Sequence, residues 1–314
     1  MNQTTNNLIM IQPKHFGYNI ETSRDNYYQK NEIKMPKSEI KKKAKLEFDH
    51  LVLKIEKNGI NIKVFKDKKS LITTDSIFPN NWISLHEEGK LITYPMYSKN
   101  RRQERRKDII ENYLKKNYLI NELIDLSHWE EKGNFLEGTG SMVFDRKNKL
   151  CYAAISKRTS KKLLNQLCKT LNYKLYTFKA NQTYKGKRVP IYHTNVMMSI
   201  GKKFAIVCLD SIDDKKEKEG LIFLLTQTNK KIIYINESQI ENFAGNILEV
   251  KNNNEKGFII MSSRAYKCLK KDQKKKLENY GTIIHSNLDT IEKIGGGSAR
   301  CMIAENFLKK KNKK

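Results

Sequence analysis

The chain has 314 residues, 38% of them hydrophobic, enough to bury a sizeable core in one large domain or two smaller ones, so intrinsic disorder is not expected. No stretch approaches the roughly 20 apolar residues of a membrane span, and the N-terminus, polar apart from residues 8–11, lacks the layout of a secretory leader; a soluble cytoplasmic protein is expected. The net charge of +27 raises a nucleic-acid reading, while five scattered cysteines with no CxxC pair argue against a disulfide framework or a zinc site.

In chain order, a lysine-rich helix-like stretch surrounds Lys41-Lys42-Lys43. A strand-like pair follows at residues 83–96, turning at Glu87-Glu88-Gly89, then a helix-like segment at 103–117. A second pair at 141–155, turning at Arg146 to Asn148, precedes a helix at 160–171 and a strand at 174–178. The third pair, 196–209, turns at Gly201-Lys202 and leads into an ill-defined charged stretch (213–219), an apolar run (221–225) and a strand (231–236). The fourth, 247–261, turns at 252–257 before a helix at 264–278 and a strand at 282–285. Gly295-Gly296-Gly297-Ser298-Ala299-Arg300-Cys301 then opens onto an apolar run, and residues 309–314 form a basic tail expected to be disordered. The glycine run lacks the Lys-Ser/Thr ending of a P-loop and does not open a helix, so it is read as a flexible approach that delivers Cys301.

A polar residue precedes each strand pair at a regular interval. Asn81 to Glu137 is 56 residues, Glu137 to His193 is 56, and His193 to Cys301 is 108, twice 54, with Asn246 or Ile247 near the skipped position. A fixed interval suggests repeated units stacked around an axis, whose equivalent positions converge on one site. A thiol, an imidazole, a carboxylate and an amide suit covalent catalysis. A nearby histidine, Arg300, or the backbone N–H groups of residues 295–298 could favour the thiolate of Cys301.

These residues resemble the guanidine-modifying superfamily of arginine deiminases, amidinotransferases and dimethylarginine hydrolases, and most closely its citrulline utilization hydrolase (citrullinase) branch. The resemblance runs over nearly the whole chain: Gln12-Pro-Lys-His-Phe-Gly-Tyr-Asn19 with Glu21-Thr22, Asp75-Ser-Ile-Phe-Pro-Asn-Asn-Trp82, Tyr94-Pro-Met96 with Asn100-Arg-Arg-Gln-Glu-Arg-Arg106, Glu137-Gly-Thr-Gly140, His193-Thr-Asn195 and Gly295 to Met302. It implies an α/β fold, a five-bladed α/β propeller (pentein) of pseudo-fivefold ββαβ repeats, in a single catalytic domain over residues 1–308. It implies Cys301 as nucleophile, His193 as general acid and base, and Glu137 as the carboxylate that holds substrate N–H groups. Arg101 and Arg158 fall where deiminases bind the substrate α-carboxylate, a task suited to a planar guanidinium fork; the other reading of each is a solvated helix start. Asp75 and Asn80 either support the site or shape the turn at Pro79, and Asp145 reads as a structural turn residue.

Asn81 and Asn195 stand where arginine deiminases carry aspartates. A cationic guanidinium offers only donors, whereas the neutral ureido group of citrulline presents a carbonyl oxygen that an asparagine can satisfy. The resemblance therefore implies a cofactor-free, metal-free hydrolase that converts L-citrulline to ornithine, ammonia and carbon dioxide through a covalent cysteine intermediate. The alternatives are an arginine deiminase or amidinotransferase and, from a different class, a non-catalytic basic binding protein. The expected partner is a small amino-acid substrate; a membrane is not expected, nor nucleic acid, since the excess lysine lies on helix-like stretches without a recognition motif. Homo-oligomerisation is left open.

Overall fold

A computed structural model describes residues 1–30, 35–68 and 70–312. Within these, one pattern of strands recurs in five three-stranded sheets. In each, the first strand runs antiparallel to the second, and the second runs parallel to the third after a helical connection. Ile83–Leu85, Lys90–Thr93 and Glu122–Asp125 form one such sheet; Val143–Asp145, Leu150–Ala154 and Lys174–Phe178 the next. Met198–Ile200, Phe204–Val207 and Lys231–Tyr234 make a third, and Leu248–Lys251, Gly257–Ser262 and Thr282–Ser286 a fourth. The fifth is assembled from both ends of the chain. Asn7–Gln12 lies between Ala304–Glu305, antiparallel to it, and Asn61–Lys66, parallel to it across the helix Lys37–Glu56.

All four hairpins expected from the sequence form at their predicted turns, and the middle strands are buried on both faces. Leu150–Ala154 and Phe204–Val207 are wholly buried, so they read as continuous apolar runs rather than as alternation.

The connections depart from expectation in three places. Residues 103–117, read as one helix, form a 3-10 turn at Lys99–Glu104, short α segments and a π-type turn at Ile110–Leu114. Arg105 leaves helical geometry there, and its guanidinium reaches Glu130 and the Tyr94 carbonyl. The helix expected at 264–278 is broken into Ser263–Cys268 and Lys271–Glu278 because Leu269 turns inward and is buried. Gln239 donates to the Cys268 carbonyl freed by the break. The ill-defined stretch after the third hairpin is a helix, Lys215–Gln227, whose first turn is capped by the Asp214 side chain accepting from the Glu217 N–H. Its interior Gly220, which weakens the helical signal, leaves room for the Tyr176 hydroxyl that donates to the Glu217 carbonyl at 2.6 Å.

Residues 309–311, part of the stretch expected to be disordered, are held against the chain. The Leu119 N–H donates to the Lys309 carbonyl, and the Lys311 N–H to the Asn117 carbonyl. Lys313 and Lys314 lie outside the described residues.

No helix among the described residues is long and apolar enough to cross a membrane.

Candidate active site

The repeat read from the sequence becomes a single structural position. Asn81 ends the turn Pro79–Asn81 before Ile83–Leu85; Glu137 and His193 each precede one helical turn, Gly138–Ser141 and Thr194–Met197, that leads into a first strand. Asn246 lies just before Leu248–Lys251, and Cys301 just before Ala304–Glu305. Asn246 thus fills the position skipped in the sequence, 53 residues after His193 and 55 before Cys301.

These positions meet. His193 Nε2 lies 2.8 Å from Glu137 Oε2. Asn195 Nδ2 reaches Cys301 Sγ at 3.5 Å, and Asn246 Nδ2 reaches it at 3.2 Å. A Cβ built on Gly140 would sit 2.5 Å from Asn81 Nδ2 and 2.7 Å from His193 Nδ1, so this glycine lets the two side chains approach one another. Cys301, His193, Asn81, Asp75, Arg101 and Arg158 share the walls of one small cavity, together with Phe78, Tyr192 and the Gly295 to Gly297 backbone.

Burial would raise the Glu137 carboxyl, but Arg158, the hydrogen bond from His193 and Arg101 outweigh it and hold the group well below the usual carboxylate range. Burial lowers His193 below the ordinary imidazole value, with Glu137 opposing. An ionised Glu137 can only accept, so His193 Nε2 carries the proton and Nδ1 keeps a free lone pair. This differs from the role expected of Glu137: its Oε1 accepts from the Tyr97 N–H at 3.0 Å and its Oε2 from His193, so it holds the imidazole.

The two arginines are buried site residues, not solvated helix starts, yet their forks are already engaged. Arg101 pairs with Glu104 through Nε and Nη2, and its Nη1 donates to Asn81 Oδ1 at 2.9 Å. Arg158 pairs with Asp25 through Nε and Nη2 and lies 4.9 Å from the Tyr192 ring centre. Burial, together with Asp75 and Glu137, pushes Glu104 up to about 8 against the pull of Arg101. Burial likewise raises Asp75, whose Oδ2 accepts from Asn19 Nδ2 at 2.8 Å while its Oδ1 has no partner among the described residues.

Three further expectations change. Asn195 touches the sulfur and lines a second small cavity with Arg146, Glu249 and Arg300, rather than the wall of the first. The charge of Arg300 is spent on Glu305 at 2.8 Å, pointing away from Cys301. The glycine run is not a flexible approach but fully buried: Gly295 and Gly297 pack against Phe78, and Gly296, with φ of +65°, offers its carbonyl to Tyr192 and Asn26. Asn80 is buried with neither amide atom paired among the described residues. Asp145 is structural as read, bound to Asn148 and Lys230.

Asn246 was legible as a repeat position but not as a sulfur contact; Asp25, Glu104, Asn26 and Tyr192 carried no signal of their own.

Comparison with known proteins bears on this geometry. Residues 12–308 match the family described as N,N dimethylarginine dimethylhydrolase, eukaryotic. No curated protein matches the chain. Among solved structures, the chain superposes on ArgZ, an arginine dihydrolase of the cyanobacterial ornithine–ammonia cycle, with a TM-score of 0.71 at 18% identity, covering 95% of this chain and 40% of that one. The chain therefore spans well under half of full-length ArgZ. The N-terminal domain of ArgZ, covalently bound to a reaction intermediate, gives a TM-score of 0.71 at 19% identity, covering 95% of this chain and 97% of that one. A dimethylarginine dimethylaminohydrolase variant holding an adduct with S-methyl-L-thiocitrulline gives 0.64 at 13%, covering 96% and 99%. At these identities the likeness is one of fold. With the family match over residues 12–308, the chain belongs to the N,N-dimethylarginine dimethylhydrolase (eukaryotic) family, C–N bond hydrolases of the guanidino-modifying pentein superfamily.

Proposed function

We propose that the protein hydrolyses the ureido group of L-citrulline to ornithine, ammonia and carbon dioxide, with the five repeated sheets arranged as a five-bladed propeller around Cys301. The observation that carries the substrate is the Asn81 amide. Arg101 Nη1 can only donate, so it takes Asn81 Oδ1; Nδ2 is thereby aimed elsewhere, buried, and without a partner among the described residues. A buried N–H donor on the wall beside the thiol suits a carbonyl oxygen and not another donor-only group.

In this reading His193 Nδ1 takes the Cys301 proton and the thiolate adds to the ureido carbon while Asn81 Nδ2 donates to its oxygen. The C–N bond to the ornithine side breaks as His193 protonates the departing amine, leaving an S-carbamoyl cysteine. Water, deprotonated by the same nitrogen, releases carbamate and restores the thiol; carbamate takes up a proton and decomposes to ammonia and carbon dioxide. Glu137 keeps His193 in the tautomer this requires. The unpaired Asp75 Oδ1 suits the substrate α-ammonium, and Arg158, on the same cavity wall with its Nη1 on Glu137 Oε2 at 3.5 Å, supplies positive charge for the substrate carboxylate.

A second reading has its own support. Asp75 stands on the cavity wall with its Oδ1 unpaired among the described residues, an acceptor that a donor-only guanidinium would satisfy, which favours arginine. Incubation of the protein with L-citrulline and, separately, with L-arginine, with ornithine, citrulline and ammonia assayed, separates the two. Ornithine from citrulline, lost in Cys301→Ala, is the expected result, with Asn81→Asp weakening citrulline turnover about tenfold or more through loss of the donor. Consumption of arginine without ornithine from citrulline would establish the second reading. Turnover of neither, with salt-sensitive nucleic-acid binding that survives Cys301→Ala, would leave the non-catalytic alternative.

A further inference from the structure

Asn246 sits at the start of the fourth sheet with nearly all of its amide committed. Its Oδ1 accepts from the Arg300 N–H at 3.0 Å. One Nδ2 hydrogen goes to the Asn195 carbonyl at 3.0 Å and the other to Cys301 Sγ at 3.2 Å. Two of these partners are backbone groups of fixed polarity. Reversing the amide would set oxygen against the Asn195 carbonyl and N–H against the Arg300 N–H, losing both bonds. The sulfur therefore faces a donor by construction.

Asn195 differs in this respect. Its Nδ2 reaches Sγ at 3.5 Å and its Oδ1 is unpaired among the described residues, so nothing around it dictates which end meets the sulfur. Arg300 turns its charge to Glu305 and the Ile303 carbonyl. Among these neighbours, Asn246 is the donor whose direction the fold imposes.

We propose that Asn246 holds the Cys301 sulfur in place and stabilises the thiolate that forms when His193 takes its proton. A sulfur anion accepts an N–H bond far better than a neutral thiol does, so a fixed donor at 3.2 Å favours ionisation. The same amide ties together the backbone beside Asn195 and beside Cys301, so the donor and the nucleophile cannot drift apart. The proposal rests on Cys301 being the nucleophile, and it adds a residue from the one repeat that had contributed none to that chemistry.

The test is the pH dependence of Cys301 alkylation by iodoacetamide, followed on the peptide that contains Cys301 by mass spectrometry, which needs no knowledge of the substrate. Asn246→Ala removes both donors, and its alkylation midpoint is expected to move to higher pH by roughly one unit. Asn246→Asp keeps the acceptor for the Arg300 N–H but sets a negative charge beside the sulfur, and a larger shift in the same direction is expected. With the substrate identified above, Asn246→Ala is expected to lower kcat about tenfold at neutral pH with KM held within about twofold. A purely structural role would lower the melting temperature and leave the midpoint in place. If Asn246→Ala does not fold, Asn246→Ser, which restores a donor of shorter reach, is read instead, with an intermediate shift expected. Folded variants whose midpoints match the wild type overturn the proposal. Hydrolysis that survives Cys301→Ala overturns the nucleophile assignment itself, so the two failures are distinguishable.

Discussion

At Glu137 and His193, the pair of side chains decides the pH behaviour of the site. Burial holds His193 neutral below its ordinary range, so the acid limb of kcat/KM is expected below about 6.5. In Glu137→Gln the groups that raise His193 are gone; the limb should move lower still, and kcat should fall on the order of 1000-fold as the tautomer is lost. Coincident pH–rate limbs in the two proteins would refute this. Glu292 offers a test of stability. Burial pushes its carboxyl up to about 7 against hydrogen bonds from Ser262 and Ser298, and its Oε1 accepts from Ser298 Oγ at 2.6 Å, three residues before Cys301. A raised carboxyl favours the fold fully below the unfolded value near 4.5, and that contribution is lost as pH rises through 7. Glu292→Gln should therefore gain on the wild type across this window, by on the order of 3 kcal/mol. Urea unfolding at a series of pH values would show parallel curves if the idea fails.

Among the elements, the one-turn segments Gly138–Ser141 and Thr194–Met197 do the positioning, since each carries its functional residue at its entrance. Gly140→Ala would place a methyl against Asn81 Nδ2 and His193 Nδ1, and a displacement of that size costs about 100-fold in kcat/KM. The expected outcome is that loss with a melting temperature lowered by only a few degrees; full activity would mean that the turn gives way without disturbing the site. The hairpins were legible because polar turn residues flank apolar runs within about 15 residues. The helix Lys215–Gln227 was not, since Gly220 serves a packing contact with Tyr176 from another sheet. Nor was the break at Leu269, which answers to the core and not to its neighbours in sequence.

Across the whole molecule, neighbouring sheets are tied by buried polar contacts. Lys230 Nζ lies 3.1 Å from Asp145 Oδ2, both side chains almost wholly buried, and it also donates to the Gly201 carbonyl at 3.0 Å. Asp145→Ala would strand that ammonium, at a cost of about 3–5 kcal/mol in chemical unfolding; pairing it with Lys230→Met should recover most of the loss. An unchanged midpoint in the single variant would show that Lys230 finds another partner. The sequence by itself determined the strand pairs, the interval between units, and which residues stand at the entrance to each first strand, because these follow from patterns a few residues long repeated along the chain. Only the tertiary structure decided what those residues face. Asp25 meets Arg158 across 133 positions, Asn246 meets Cys301 across 55, and Leu8 pairs with Glu305 to complete the fifth sheet from both ends of the chain. Such contacts depend on how the units pack, and no local pattern encodes the direction in which a buried amide or guanidinium points once its neighbours have come from elsewhere.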